Sequence, residues 1–177
     1  MAPTLDLLAV GRMQAPTMGA TTACESAADA RELLKFQRFD LILSRDIAAL
    51  TDRTLASAAP VLTPEGLTQA RLEAVVTGWI GPVDPSLAEM AAGYTERLAT
   101  RIQTIEAASL AGDLPVLARL GHQIAGTAAL YGLPGVGREC DMLCTAAREG
   151  RTQACAWQVA RIGRVLRASL ERLRAIG

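Results

Sequence analysis

The sequence predicts a mainly α-helical protein, with an antiparallel four-helix bundle in its C-terminal half and a small α/β part before it. Apolar residues recur at helical spacing throughout the C-terminal half, whereas the N-terminal half alternates short apolar runs with helix signals. Half of the 177 residues are hydrophobic, so the chain can bury a core. Gly78, Gly81 and Pro82 interrupt both patterns. We therefore expect one part over residues 1–80 and another over residues 82–177.

The N-terminal part is predicted to combine short strands with helices. Ser26 and Asp29 form a capping box that opens a helix, and the run from Phe39 to Leu43 is typical of a buried strand. The predicted elements are strands over Leu5–Val10, Ala20–Cys24 and Phe39–Leu43, and helices from Ser26 to about Gln37, from Ile47 to Ala58, and from Glu65 to Val76 after the cap Thr63.

The four C-terminal helices are delimited by capping residues and glycines. Asp84 followed by Pro85 is a typical helix start, and Gly112 followed by Asp113 ends one helix and caps the next. Short connections between helices of this length favour antiparallel neighbours. The predicted helices run from Asp84 to about Leu110, from Asp113 to Gly132, from about Pro134 to Gly150, and from about Thr152 to Ala175.

Each of these helices carries an apolar face that should pack in the core. Cys140 and Cys144 lie on such a face and are interpreted as core residues, while the arginines of the last helix, Arg161 among them, are assigned to its solvent side. The predicted core positions are Leu87, Met90, Ala91, Tyr94, Leu98, Ile102 and Ile105 in the first helix, Val136, Leu143 and Ala147 in the third, and Val159, Ile162, Val165, Leu166, Leu170, Leu173 and Ile176 in the last.

Composition argues against several classes of partner. The formal net charge is zero, which removes the general electrostatic reason to bind nucleic acid or an anionic membrane. Aromatic residues make up only 3%, so base-stacking surfaces are not expected. No basic leader precedes a long apolar run, and we expect a cytoplasmic protein with no membrane attachment and with reduced cysteines.

His122 is the only histidine in the chain, and helical spacing places it on an exposed face. At about 100° per residue, the core stripe contains Leu117, Leu120, Ile124, Thr127, Ala128 and Tyr131. His122 falls roughly 140° from Leu117. Small residues surround it, so another protein could lie flat over the imidazole. Its helical neighbours are Ala118, Arg119, Ala125, Gly126 and Ala129.

No metal site is expected in this chain. A zinc site built from Cys140, Cys144 and His122 would need the histidine on the core side, which the helical phase contradicts. The simplest alternative for the histidine is an ordinary surface residue. Three acidic residues of the N-terminal part are interpreted as surface charge rather than as a magnesium site: Glu32, Asp40 and Asp46.

A combined pattern surrounds the histidine. In the predicted helix His122 is followed by a hydrophobic residue, a glycine and small residues, and similar short matches flank the helix. These elements are Ile124, Ala125, Gly126, Thr127 and Ala128 in the helix, Ala111–Gly112–Asp113 before it, and Tyr131–Gly132–Leu133, Val136–Leu143 and Ala147–Gly150 after it. Together they resemble a histidine phosphotransfer (HPt) domain that extends from Pro85 to the C-terminus.

The pattern departs from that family at two positions. The lysine that usually helps to hold the phosphoryl group is replaced by Ala125, and the acidic residue common on the following helix is replaced by Cys144. Arg119, one turn before His122, could supply the missing positive charge, although as a planar guanidinium rather than a compact ammonium.

Ser26 to Leu43 is similar to the second helix and third strand of a response-regulator receiver. Gly11 and Arg12 stand where a receiver places paired acids after its first strand. Arg45 stands at the position of the phosphoryl-accepting aspartate, with Asp46 one residue later. The resemblance implies a degenerate receiver-like part that takes up no phosphate.

The HPt resemblance implies a phosphorelay intermediate. His122 would accept a phosphoryl group from the aspartyl phosphate of a receiver, which brings its own magnesium ion, and would pass it to another receiver. The implied partners are response-regulator receiver domains or a hybrid histidine kinase, and no cofactor of the chain's own is implied. The alternative is a non-phosphorylated HPt-like interaction module, which the loss of lysine at Ala125 favours. Neither function needs a small-molecule catalytic site.

Overall fold

The computed structural model describes residues 5–11, 20–59, 61–64, 69–83 and 85–176. The chain divides into two compact units, Met1–Val75 and Val76–Gly177. The first contains a small parallel sheet with short helices, and the second is helical. Among the described residues, no helix is both long and apolar enough to cross a membrane.

The sheet of the N-terminal unit has four described strands, all parallel. β1 (Asp6–Val10) lies between β2 (Ala20–Cys24) and β3 (Leu41–Ser44), and β4 (Val61–Leu62) pairs with β3. This is the order of the first four strands in a flavodoxin-like sheet. Every residue of β1 and β3 is buried, which explains why both are nearly continuous apolar runs rather than alternating ones.

Short helices connect the strands. α1 (Ala27–Leu34) begins as predicted, because the Ser26 side chain accepts a hydrogen bond from the backbone N–H of Asp29. The helix predicted over Ile47–Ala58 is divided in two. The reason is a second cap within it: the Asp52 carboxylate accepts hydrogen bonds from two backbone N–H groups of the next turn. The resulting helices are α2 (Ile47–Leu50) and α3 (Arg53–Ala58).

α4 (Gln69–Thr77) contains the division between the two units. Its predicted start at Glu65 lies outside the described residues, as do Asp84 and Arg12. The four long helices of the C-terminal unit follow the predicted bounds closely: α5 (Ala88–Leu110), α6 (Leu114–Ala128), α7 (Pro134–Arg148) and α8 (Thr152–Ile176).

Packing within the C-terminal unit connects these helices pairwise. α5 contacts α6 and α8, and α7 contacts the same two helices. The predicted core positions Tyr94, Leu98, Ile102 and Ile105 are buried on α5, but Met90 is half-exposed. Burial on α5 therefore begins a turn later than the periodicity predicted, after a short 3₁₀ turn over Pro85–Leu87.

The assignment of Arg161 to the solvent side of the last helix is wrong. Its side chain is buried and forms an ion pair with Glu139 on α7, with 2.9 Å between Arg161 Nε and Glu139 Oε2. Gln158 donates a hydrogen bond of 2.6 Å to the same carboxylate. The Arg161 guanidinium also lies 5.7 Å from the centre of the Trp157 ring. Periodicity missed this group because helical spacing cannot distinguish an exposed charge from one neutralised by a neighbouring helix.

The segment before α5 belongs with the C-terminal unit, which begins at Val76. Trp79 is buried, and its carbonyl oxygen accepts a hydrogen bond of 2.9 Å from the backbone N–H of Gly135. A Cβ atom at Gly135 would lie only 2.6 Å from Trp79 Cβ. Only glycine at this position lets the tryptophan pack so closely against the start of α7.

Candidate functional site around His122

Local sequence determines where α6 begins and which face it buries. The Asp113 carboxylate accepts a hydrogen bond from the backbone N–H of Val116, and proline follows in the first turn. Four residues of the predicted core stripe are buried, Leu117, Leu120, Ile124 and Ala128, whereas Thr127 and Tyr131 are half-buried. His122 is exposed, as its helical phase predicted.

The imidazole lies on an open groove of about 440 Å³ between α6 and α7. Three of the small residues predicted around His122 line this groove with it, and the opposite wall is formed by the first turns of α7. The lining residues are His122, Ala125, Gly126, Ala129, Pro134, Gly137, Arg138 and Asp141. The small-residue surface expected from the sequence is therefore one wall of a groove.

The two other predicted neighbours lie outside this groove. Ala118 is half-buried, and Arg119 is exposed one turn before His122. Neither belongs to the groove's lining. Helical spacing thus identifies Arg119 as the cation beside His122 on α6, whereas a different cation, Arg138, lies on the opposite wall of the groove.

Glycines allow α6 and α7 to approach closely beneath the groove. A Cβ atom at Gly121 would lie 2.8 Å from the carbonyl oxygen of Cys140, and one at Gly137 would lie 3.4 Å from the carbonyl oxygen of Ala125. At Gly126, by contrast, a Cβ atom would have no heavy atom within 4 Å. Gly121 and Gly137 are therefore packing residues, whereas Gly126 faces open space.

The groove also contains two charged residues, Arg138 and Asp141, that the spacing along α6 does not reveal. Both are exposed on α7. The Arg138 guanidinium donates a hydrogen bond of 3.1 Å from Nη2 to the carbonyl oxygen of Gly78. A signal was present, since Pro134, Arg138 and Asp141 recur at helical spacing. Only the packing of α7 against α6 shows that this stripe faces the histidine.

An aromatic pair supports the end of α6 away from the groove. The rings of Tyr94 and Tyr131 are stacked with their centroids 4.1 Å apart. The Tyr94 hydroxyl lies 3.0 Å from Thr127 Oγ1, which itself donates to the carbonyl oxygen of Gln123. Burial raises the pKa of Tyr94, although the hydrogen bond to Thr127 acts in the opposite direction. These contacts join α5 to the turn that follows the histidine-bearing helix.

The cysteines of the C-terminal unit are buried away from the imidazole. Cys140 and Cys144 are core residues of α7, as predicted. Burial raises the pKa of the Cys140 thiol well above its usual range, so this thiol stays protonated at neutral pH. Among the described residues, no group of three or more His, Cys, Asp or Glu side chains could hold a metal ion.

The acidic residues of the N-terminal unit serve local structure. Asp40 is buried, so its interpretation as surface charge is wrong: its carboxylate accepts a hydrogen bond of 2.8 Å from the backbone N–H of Asp6. Asp46 caps α2 through the N–H of Ala48. Glu32 forms an exposed ion pair with Lys35.

The end of β3 is tied to β1 by a serine. The Ser44 hydroxyl donates to the carbonyl oxygen of Val10 over 3.0 Å and accepts from the backbone N–H of Asp46 at the same distance. Ser44 is fully buried. Arg45 follows directly, at the position where the receiver resemblance places the phosphoryl acceptor.

The helical unit, its exposed histidine and the groove beside it agree with the comparison to protein families. The family model described as Hpt domain matches residues 89–176. The C-terminal half of this chain is an Hpt domain. Hpt domains are histidine-containing phosphotransfer modules of two-component phosphorelays, in which they interact with receiver domains and histidine kinases. Searches of curated proteins and of solved structures gave no match.

Proposed function

We propose that this Hpt domain is a phosphorelay intermediate that accepts a phosphoryl group on His122 from a receiver's aspartyl phosphate and passes it to another receiver. The observation that supports this most directly is the exposure of the imidazole beside a groove whose α6 wall is alanine and glycine. A partner can approach such a surface without displacing bulky side chains. Gly126 in particular leaves open space one turn beyond the histidine.

The chemistry needs little from the protein beyond position. The lone pair on the unprotonated ring nitrogen of His122 attacks phosphorus, the new P–N bond forms, and the bond from phosphorus to the aspartyl oxygen breaks. The aspartate leaves as a carboxylate, and the proton on the other ring nitrogen stays on the ring or passes to solvent. Because the attacking ring nitrogen already carries a free lone pair, no buried base is needed to activate it. The partner receiver supplies the magnesium ion.

The finer architecture follows from the short connections between α5, α6, α7 and α8. Glycines with positive φ, Gly112, Gly132 and Gly150, end three of these helices within a few residues of the next one. We infer from these connections that the four helices form an antiparallel bundle. We also propose that the chain acts in the cytoplasm, because the proposed partners, receiver domains and the receiver-bearing parts of hybrid kinases, are found there.

The alternative function is that of an Hpt-like module that binds a receiver or a kinase without carrying phosphate. The observation that favours it is Ala125, which leaves the histidine without the family's lysine on α6. Arg119 remains a predicted substitute for that lysine. The two functions differ in one measurable property, which is phosphate on His122.

The deciding experiment mixes the full chain with phosphorylated receiver domains and magnesium, and follows transfer of labelled phosphate. We expect an acid-labile, base-stable label on the protein, as is typical of a phosphohistidine. The variant His122→Gln should lose all of it, while Gln123→Ala, which changes the exposed neighbour of the histidine, should keep it. Undiminished labelling of His122→Gln would refute the proposal. Receiver binding without any labelling of the unmodified chain would establish the alternative.

A further inference from the structure

We propose that Arg138 of α7 contacts the phosphoryl group on His122 and supplies the positive charge that Ala125 lacks. This inference rests on the proposed phosphotransfer function. Arg138 and His122 line the same groove from opposite walls. The arginine therefore reaches the phosphoryl group from a neighbouring helix, whereas the family's lysine does so from the helix of the histidine.

The packing of the two helices brings Arg138 beside the position of the missing lysine. Gly137 approaches α6 at residue 125 itself, where a Cβ atom on the glycine would lie 3.4 Å from the Ala125 carbonyl oxygen. Arg138 is the next residue along α7 and is exposed. A small side chain at Ala125 leaves space above this contact, and a long guanidinium arm can occupy it.

The arginine is held in place without using all of its donors. One guanidinium nitrogen, Nη2, donates to the carbonyl oxygen of Gly78. A guanidinium has several further N–H groups in a rigid fork, and these suit the oxygens of a phosphoryl group. The segment before α5 therefore restricts the arginine, so less side-chain freedom is lost when phosphate arrives.

Three of the first four residues of α7 offer no free backbone N–H that could replace this cation. Pro134 has no N–H, the N–H of Gly135 is bonded to Trp79, and that of Gly137 is bonded to Leu133. The Asp141 carboxylate in the same groove opposes a second negative charge. Arg138 is thus the positively charged residue of the groove, and Asp141 limits how tightly the groove retains phosphate.

The test uses the full chain and a small donor, phosphoramidate, so that no cognate receiver is required. The protein is phosphorylated chemically, and ³¹P NMR reports the amount of phosphohistidine, its hydrolysis rate and the pKa of its phosphoryl group. The variants are Arg138→Ala and Arg138→Lys, with Arg167→Ala as the matched control. Arg167 is an exposed arginine on α8, a helix that contributes no residue to the groove.

We expect Arg138→Ala to slow phosphorylation or speed phosphohistidine loss by about three- to tenfold, as befits a charge-assisted contact at an open surface. The pKa of the phosphoryl group should rise, because a neighbouring cation favours its dianion. Arg138→Lys should recover part of the loss, and so should Ala125→Lys added to Arg138→Ala. Arg167→Ala should match the unmodified protein.

The outcomes separate this inference from the function on which it rests. If neither phosphoramidate nor any receiver labels His122 in the unmodified chain, the proposed function is wrong and the role of Arg138 is lost with it. If His122 is labelled but Arg138→Ala behaves like Arg167→Ala in rate and in phosphoryl pKa, phosphotransfer stands and this inference is overturned. Circular dichroism of each variant excludes loss of the fold as the cause.

Discussion

In the N-terminal unit the ends of the central strands are tied together by hydrogen bonds, whereas in the C-terminal unit the surface of α6 is left open around an imidazole. Ser44 engages both Val10 and the backbone of Asp46 at the point where β3 ends. His122 instead lies beside a groove, with open space at Gly126. The contrast is between a strand end that is closed by hydrogen bonds and a helix face on which a histidine is accessible, and the proposed function depends on that access.

The two units also stabilise themselves differently. The core of the N-terminal unit is apolar, centred on buried residues of β1 and β3 such as Leu8, Val10 and Ile42. The C-terminal unit adds a buried polar group between α7 and α8, formed by Glu139 and Arg161 with Gln158. Removing one partner of such a group lowers the stability of the fold, because the charge of the other partner stays buried.

Removing Trp79 from the C-terminal unit should have the largest effect. A fragment from Val76 to Gly177 is expected to stay helical and to keep phosphorylation of His122, because Trp79 remains packed at Gly135. A fragment that begins at Pro82 loses that tryptophan, and its free energy of unfolding should fall by about 3–5 kcal/mol. Urea unfolding followed by circular dichroism measures both. Equal stability of the two fragments would show that Trp79 contributes nothing.

Breaking the buried ion pair should have the next largest effect on stability. Glu139→Ala removes the carboxylate that pairs with the buried Arg161 guanidinium and should lower the free energy of unfolding by about 3–5 kcal/mol. Glu171→Ala, at an exposed position on α8, should change it by no more than about 0.5 kcal/mol. Combining Glu139→Leu with Arg161→Met should recover most of the loss. Urea denaturation tests all of these variants, and a small effect of Glu139→Ala alone would contradict the prediction.

Two glycines on α6 provide a matched pair with opposite expected signs. Gly121→Ala places a Cβ atom against the Cys140 carbonyl oxygen and should destabilise the unit by about 1–3 kcal/mol. Gly126→Ala meets nothing within 4 Å and should stabilise the helix by roughly 0.5–1 kcal/mol. Thermal unfolding of both variants measures the difference. Stabilisation by both substitutions would mean that α6 and α7 do not approach closely at Gly121.

The smallest effect is expected at the end of β3, where a substitution should not change phosphorylation of the chain. Asp46→Asn should leave phosphorylation of the chain unchanged, because Asp46 caps α2 and asparagine caps a helix equally well. Residues 1–80 should take up no phosphate from acetyl phosphate and magnesium. A base-labile acyl phosphate on the protein that disappears in Asp46→Asn would show that the N-terminal unit retains receiver chemistry.

Helix bounds and the exposure of His122 could be predicted from the sequence because both depend on nearby residues. Asp113 caps α6, glycines end three of the long helices, and helical periodicity places the histidine away from Leu117. The division of the predicted helix over Ile47–Ala58 is also a local effect, since Asp52 within it is a capping residue.

Tertiary packing decided the features that bring distant residues together. Helical spacing alone assigned Arg161 to solvent and left Arg138 unnoticed, since periodicity shows which residues share a face but not what that face meets. The contact of α7 with α8 neutralises the first arginine, and the contact of α7 with α6 brings the second to the groove of His122. The candidate phosphoryl acceptor could thus be identified from one helix, whereas its proposed cation is apparent only when a second helix packs beside it.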